Sequence, residues 1–362
     1  MPGELIVSGT IVYGDDFEVR EGYLVVRDGR IREVGSGKMH SQLEGLVCPA
    51  FVNAHTHVGD SIAKDLPYMP LDSLVKPPDG LKHRILGAAS PGEIAAGIRS
   101  TLADAWATGT AHVADFRESG AAGARLLREI AGDRATILGR VAGDDTVEDV
   151  LRHADGLGFS GANDIPRDAL FSMAEKARNA GKLVGIHAGE LDRSDVEAAL
   201  ELGPDFLVHM THAGPEDIGR AADRGVPVVV CPRSNAATGA GSPPIRRMRE
   251  AGLCLALGTD NAMINSPDMF AEMEWASKAY LHDDLYTLKM ATLNGARLLG
   301  KGRSKGSILE GKDADVLVLD QGTDNLRCSK NLLSSIVRRA RPDDIKYAIC
   351  GGTLWRKSST RY

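Results

Sequence analysis

The histidines and acids of this chain fall in a spacing that suits hydrolytic metal chemistry. His55 and His57 flank Thr56. Residues i and i+2 of a strand face the same way, so both imidazoles can point into one site. Glu190 follows His187 after three residues, His212 follows His209 after three, and Asp260 lies further along. Of the ten histidines, four (His55, His57, His187 and His209) end segments that read as strands. A lone buried histidine is ordinarily a hydrogen-bonded structural residue. A same-face pair joined by two more imidazoles and an aspartate is the composition of a metal site. Three imidazoles and a carboxylate suit Zn²⁺ and also accept Fe²⁺. An ion held there lowers the pKa of a bound water toward neutrality. Asp260 can ligate the ion or contact that water. Glu190, on the loop beyond its strand, can carry a proton between water and substrate.

Positioning such a set requires several strands that end at one rim. Strands are expected at 51–57, 110–116, 136–141, 157–161, 183–188, 206–210, 226–231 and 253–258. Helices are expected between most of them, at 91–107, 121–130, 167–180, 194–201, 215–223 and 245–251, with a weaker one at 146–154. Two more, 267–281 and 285–299, follow the last strand. Ser90 before Pro91, Gly214 before Pro215 and Ser266 before Pro267 are helix-start signals. Eight βα units in about 250 residues predict a closed (β/α)8 TIM barrel, an α/β fold whose sites form on the loops after the strands. No GxGxxG follows the first strand to support an open dinucleotide-binding sheet. The stretch 59–89 reads as irregular and long enough to be a binding loop or cover, and it carries Lys76, Lys82, His83 and Arg84.

Both chain ends read as short strands and turns, with RDGR a hairpin signal. Residues 1–50 and 304–362 are therefore expected to join into one composite β-sandwich domain beside a barrel of 51–303. The composition is globular, with 43% hydrophobic and 25% charged residues among 362. A net charge of −6 and 5% aromatic residues speak against a nucleic-acid partner. No run of 18 apolar residues predicts a membrane span. Five scattered cysteines without a CxxC pair, and no basic-then-apolar leader, predict a cytoplasmic protein. A homodimer is the default oligomer. The basic run RRAR at 338–341 reads as solvated surface.

Five segments taken in order, GLVCPAFVNAHTH, IHAGE, VHMTH, CPRSN and LGTDN, resemble the amidohydrolase superfamily, nearest its cytosine-deaminase-like and chlorohydrolase-like aminohydrolase branch. The turn GKDADVLVLD and the closing GGTLW extend the resemblance over nearly the whole chain. The resemblance implies that His55, His57, His187 and Asp260 bind metal. It implies that Glu190 protonates the ring nitrogen beside the attacked carbon. It places His209 near the attacking water and substrate, gives Asp260 the water's proton, and makes His212 a brace behind the ligands. The region 157–164 offers no Lys to bridge two ions. One divalent ion, zinc or else iron, is therefore expected. The implied reaction is hydrolytic deamination of a small amino-substituted N-heterocycle: a purine, pyrimidine, pterin or related nucleoside. The alternative is removal of chloride or an alkylamine from a ring. Arg117, Arg140, Arg233, Ser234, Asn235 and His83 are the candidate substrate contacts, the basic ones suited to a carboxylate or phosphate.

Overall fold

The structure is a computed structural model that describes residues 4–37, 39–76, 79–351 and 353–356. The chain begins with four strands, β1 (Leu5–Tyr13), β2 (Glu18–Arg27), β3 (Arg30–Ser36) and β4 (Leu43–Pro49). Asp28 and Gly29, at φ 53° and 72°, make the two-residue turn between β2 and β3. Positive φ at both positions matches the twist of the flanking strands.

Nine further strands form a second sheet. They are β5 (Phe51–His57), β6 (Thr110–Arg117), β7 (Ala135–Gly139), β8 (Gly156–Phe159), β9 (Leu183–Ala188), β10 (Phe206–His209), β11 (Val228–Val230), β12 (Leu255–Leu257) and β13 (Asp260–Asn261). Its order is β12-β11-β10-β9-β8-β7-β6-β5-β13, and its recorded pairings are parallel. Every residue of β5 and β6 is buried, as expected of strands covered on both faces. The two edge strands belong to one stretch of chain. Gly258 N donates to Val230 O (3.1 Å), and Thr259 N donates to Asn53 Oδ1 (3.0 Å). Gly185 in β9 leaves room for aromatic rings. A Cβ there would lie 2.6 Å from Phe206 Cζ and 2.9 Å from Phe116 Cζ.

The last strands, β14 (Val316–Leu319), β15 (Ile345–Cys350) and β16 (Thr353–Arg356), join the first four in one seven-stranded sheet, ordered β16-β15-β14-β4-β1-β2-β3. β14 runs antiparallel to β4, which brings the two chain ends together. Ile31 and Val34 of β3 enter the same apolar cluster as Ile349 of β15, with Val7, Val47 and Val316 between them. Strands far apart in the sheet order thus share one core.

The helix starting at Pro91 runs Pro91–Ala107, opened by a reciprocal pair. Ser90 N donates to Glu93 Oε2 (2.8 Å) and Glu93 N to Ser90 Oγ (3.3 Å). The stretch 59–89 is not irregular. It holds a 3₁₀ turn (Val58–Ala63) and two short helices, Leu71–Val75 and Leu81–Ala88. Helices this short present too few turns for a hydrophobic period to register. The helix expected from 267 begins at Met269, capped by Asp268 rather than Ser266. Asp268 Oδ1 accepts from Phe270 N at 2.9 Å. The helix expected at 285–299 is two, Asp284–Met290 and Leu293–Leu298.

By packing, the chain divides into two compact units. One comprises Met1–Val52, Trp106–Ala111 and Asp268–Tyr362; the other comprises Asn53–Ala105 and His112–Pro267. Among the described residues no helix is long and apolar enough to cross a membrane.

Candidate metal centre

The site lies within the second unit, where β5, β9, β10 and β13 bring their histidines and aspartate together. Alternation along β5 sets Asn53, His55 and His57 on one face and Thr56 on the other. Asn53 Nδ2 donates to Thr259 Oγ1 (2.7 Å), tying that face to the turn before Asp260. Thr56 Oγ1 donates to Ala114 O (2.9 Å) on β6.

The imidazoles converge. His55 Nε2 lies 3.2 Å from His187 Nε2 and 3.3 Å from Asp260 Oδ1, and His57 Nε2 lies 3.6 Å from the same oxygen. The donor atoms of His55, His57 and His187 lie within 4.8 Å of one another, as do those of His55, His209 and Asp260. Two of these rings are oriented from behind. Phe116 O stands 3.1 Å from His57 Nδ1, and Phe159 O stands 2.8 Å from His187 Nδ1. A carbonyl only accepts, so each Nδ1 carries the proton and each Nε2 presents a lone pair inward. Phe116 packs against the rings of His55 and His187, with centroids at 4.6 and 4.8 Å.

Electrostatics leave this set ready for a cation. Burial lowers the pKa of His55, an effect the Asp260 carboxylate opposes. Burial, then the Lys82 charge, pushes His57 down to about 3. Burial and the neighbouring imidazoles hold His187 well below the ordinary histidine value. All three rings are therefore neutral ligands near pH 7. Burial would raise Asp260, but the hydrogen bond with His55 and the nearby imidazoles outweigh it and keep the group well below 3.8. Glu190 moves the opposite way. Burial raises it, the Asp260 charge adds to the rise, and His209 opposes both. The Nε2 atoms of His55 and His187 stand 3.2 Å apart beside the Asp260 carboxylate, nitrogen and oxygen donors gathered at one point. The donor set therefore fits a divalent ion.

The backbone is strained where it delivers two of these side chains. His209 and Asp260 hold φ of 73° and 61°, left-handed values that non-glycine residues seldom adopt. Asn235 Nδ2 lies 3.2 Å from His209 Nδ1, and His209 Nε2 lies 3.6 Å from Glu190 Oε2.

A cavity of about 200 Å³ opens over the centre, with His57, His187, Glu190, His209 and Asp260 among its lining. His83 and Arg140 also line it. His83 is anchored by its Nε2 to Val75 O (2.9 Å). Arg117, Arg233, Ser234 and Asn235 are not among its lining. Ser234 and Asn235 are buried, bonded to Asp260 and His209. Arg233 reaches Ser266 Oγ at 3.5 Å, and His212 Nε2 donates to Ala240 O at 2.8 Å. Arg117 is 2% exposed and fills the space beside Gly59, where a Cβ would stand 2.2 Å from its Nη1.

Arg117 belongs to a buried ionic cluster that sequence reasoning missed. Lys82 Nζ stands 2.9 Å from Asp60 Oδ2 and 2.8 Å from Glu118 Oε1. Glu118 Oε2 accepts from Arg117 Nη2 (2.8 Å), and Asp115 Oδ1 lies 3.7 Å from Arg117 Nη1. Glu118 Oε1 also lies 3.3 Å from His57 Nδ1, which joins the cluster to the histidines. Burial lifts Asp60 to about 7 and Asp115 to about 6, against the pull of Lys82 and Arg117. Burial would also raise Glu118, but Lys82 and Arg117 hold it well below 4.5. The signal available was position: FRESG follows the second strand of the sheet, on the rim already expected to carry the site.

A parallel sheet with such a set at its strand ends can hold a metal ion at the rim where sites form. Comparison with known proteins gives the family. The model of the Amidohydrolase family matches residues 46–355. A "putative aminohydrolase" of Methanothermobacter thermautotrophicus is 36% identical over 391 residues, covering 98% of this chain and 99% of the relative. A 5-methylthioadenosine/S-adenosylhomocysteine deaminase of Moorella thermoacetica is 29% identical, with coverages of 97% and 93%. The fold is similar to that of a zinc-bound adenosine deaminase from Xanthomonas campestris, with TM-score 0.80, 22% identity and coverages of 97% and 92%. The chain belongs to the amidohydrolase family and is a hydrolase acting on carbon–nitrogen bonds.

Proposed function

We propose that the protein is a metal-dependent aminohydrolase that deaminates an amino-substituted N-heterocycle of the purine, pyrimidine or pterin kind. One observation carries this reading. Two carboxyls line one cavity in different settings, Asp260 among the convergent imidazoles and Glu190 outside that set, 3.6 Å from His209 Nε2. Hydrolytic deamination needs such a pair, a base for water and an acid for the ring.

His55, His57, His187 and Asp260 would hold one divalent ion, zinc or else iron. When bound, the ion supplies a Lewis acid and a water acidified toward neutrality. The absence of Lys from β8, which reads GLGF, supports a single ion. Asp260 accepts the proton of the attacking water. Glu190 gives its proton to the ring nitrogen beside the attacked carbon. His209, braced by Asn235, faces the charge that develops on oxygen. The amino group then takes the proton held on Asp260, the C–N bond breaks to release ammonia, and the hydroxyl proton passes to Glu190 as the ring carbonyl forms.

The same reading takes residues 51–303 as a closed (β/α)8 barrel and residues 1–50 with 304–362 as a small composite sandwich. The common stretch holding β12 and β13 supports the first, and the core shared by β3 and β15 supports the second.

The test is product analysis. Metal-loaded protein is incubated with aminopurines, aminopyrimidines, aminopterins, and chloro- and alkylamino-triazines. The reading expects ammonia from amino-substituted rings. Chloride or alkylamine release without ammonia assigns the ring-substituent hydrolase instead.

A further inference from the structure

We propose that Lys82 is a substrate-binding residue that donates a hydrogen bond to an oxygen acceptor on the heterocycle, a ring carbonyl or a carboxylate. This deepens the deaminase reading and rests on it. Lys82 is 4% exposed, yet it lines the same cavity as His57, Glu190 and Asp260. An ammonium has three N–H donors and no acceptor. Asp60 Oδ2 at 2.9 Å and Glu118 Oε1 at 2.8 Å pair with it as charges. Among the described residues no further carboxylate is within ion-pair distance of Nζ. Lys82 borders the cavity, so an N–H is free to donate to a group held there.

The neighbours narrow what it binds. Asp60 and Glu118 already balance the ammonium, and Glu118 is shared with Arg117 and His57. What remains on offer is therefore a directed donor more than a free charge. A ring bearing an oxo or carboxylate oxygen meets it. A ring with hydrogen there leaves it unsatisfied, and a site built to bond such an oxygen rejects the analogue lacking it. The substrate class narrows to oxygen-bearing amino-heterocycles.

The test uses matched pairs: cytosine against 4-aminopyrimidine, and isoguanine against adenine. 4-Aminopyrimidine-5-carboxylate, against 4-aminopyrimidine, separates carboxylate from carbonyl. Binding to metal-loaded protein is read by calorimetry and turnover by ammonia release. The oxygen-bearing member of at least one pair is expected to bind about tenfold or more tightly than its match. Lys82→Met should collapse that ratio, chiefly through Kd and KM rather than kcat, while Lys82→Arg restores part of it. A merely structural lysine predicts equal losses on both members. That result, or a wild-type ratio near one in every pair, overturns the proposal. If Lys82→Met does not fold by circular dichroism, the doubly neutral Lys82→Gln, Glu118→Gln protein replaces it. If that also fails, the wild-type ratio alone decides. Discrimination in binding with no ammonia from any ring sinks the deaminase reading and keeps the Lys82 site. Ammonia released from both members alike, with equal Kd, does the reverse.

Discussion

Ser234 Oγ donates a 2.6 Å hydrogen bond to Asp260 Oδ2, and Asn261 Nδ2 donates to the same oxygen at 3.0 Å. The other oxygen, Oδ1, is left to face His55 and His57 at 3.3 and 3.6 Å. Ser234 was expected to touch the substrate or to brace the rim, and its observed bond is of the second kind. It sits in the helix Pro232–Thr238 and fixes the aspartate whose backbone is already held in a left-handed conformation.

Removing that bond should loosen the centre without emptying it. Ser234→Ala is expected to lower zinc affinity or kcat by about 10- to 100-fold, the usual cost of losing support behind a ligand. Chelator competition and steady-state rates measure the two separately.

Glu190 has a different signature. It lines the cavity but stands outside both close groups of donor atoms. Glu190→Gln should bind metal like the wild type and lose about 10²- to 10⁴-fold in kcat. Wild-type turnover in that variant would remove Glu190 from the mechanism.

The buried ionic cluster predicts a stability effect. Glu118→Ala leaves the ammonium of Lys82 and the guanidinium of Arg117 short of a carboxylate, at 4% and 2% exposure. Breaking one member of such a pair costs about 3–5 kcal/mol. Denaturant unfolding should show this as a lower midpoint with an unchanged slope.

Arg338, in the basic run expected to be solvated, bonds Asp284 through Nε at 2.8 Å and Nη2 at 2.6 Å. Burial would raise Asp284, but the bonds from Arg338, Ser277 and Ser334 outweigh it and lower its pKa. The unfolded chain thus takes up this proton before the folded one does. The stabilisation is complete above the ordinary value of 3.8 and fades as pH falls through the lowered value. Because Arg338 is 45% exposed, solvent screens the pair. Arg338→Met should therefore cost only about 1 kcal/mol at pH 7, and less in acid. A cost independent of pH would contradict the ion-pair account.

Much of the frame was legible because it is local. The strands at 51–57 and 183–188 and the helices at 91–107 and 215–223 match their observed bounds. Each is an apolar or amphipathic run closed by a turn residue, proline or cap. The histidines were legible through the same logic, since a strand end fixes which way its last side chains face. The ionic cluster was not. Asp60, Lys82 and Glu118 meet across 22 and 36 residues of sequence, and no periodicity links them. Ser234 and Asn235 were read as touching substrate or bracing the rim because they follow a strand end. A helix starting at Pro232 turns them to Asp260 and His209. The left-handed backbone at His209 and Asp260 leaves no mark in residue type.

The most direct test of the central claim is a metal titration of the metal-free protein, read as ammonia released from an amino-substituted heterocycle. His55, His57, His187 and Asp260 form one convergent set. Ammonia release should therefore rise linearly with added zinc and break at one equivalent per chain. A break at two equivalents, or ammonia release that ignores metal altogether, would contradict the account.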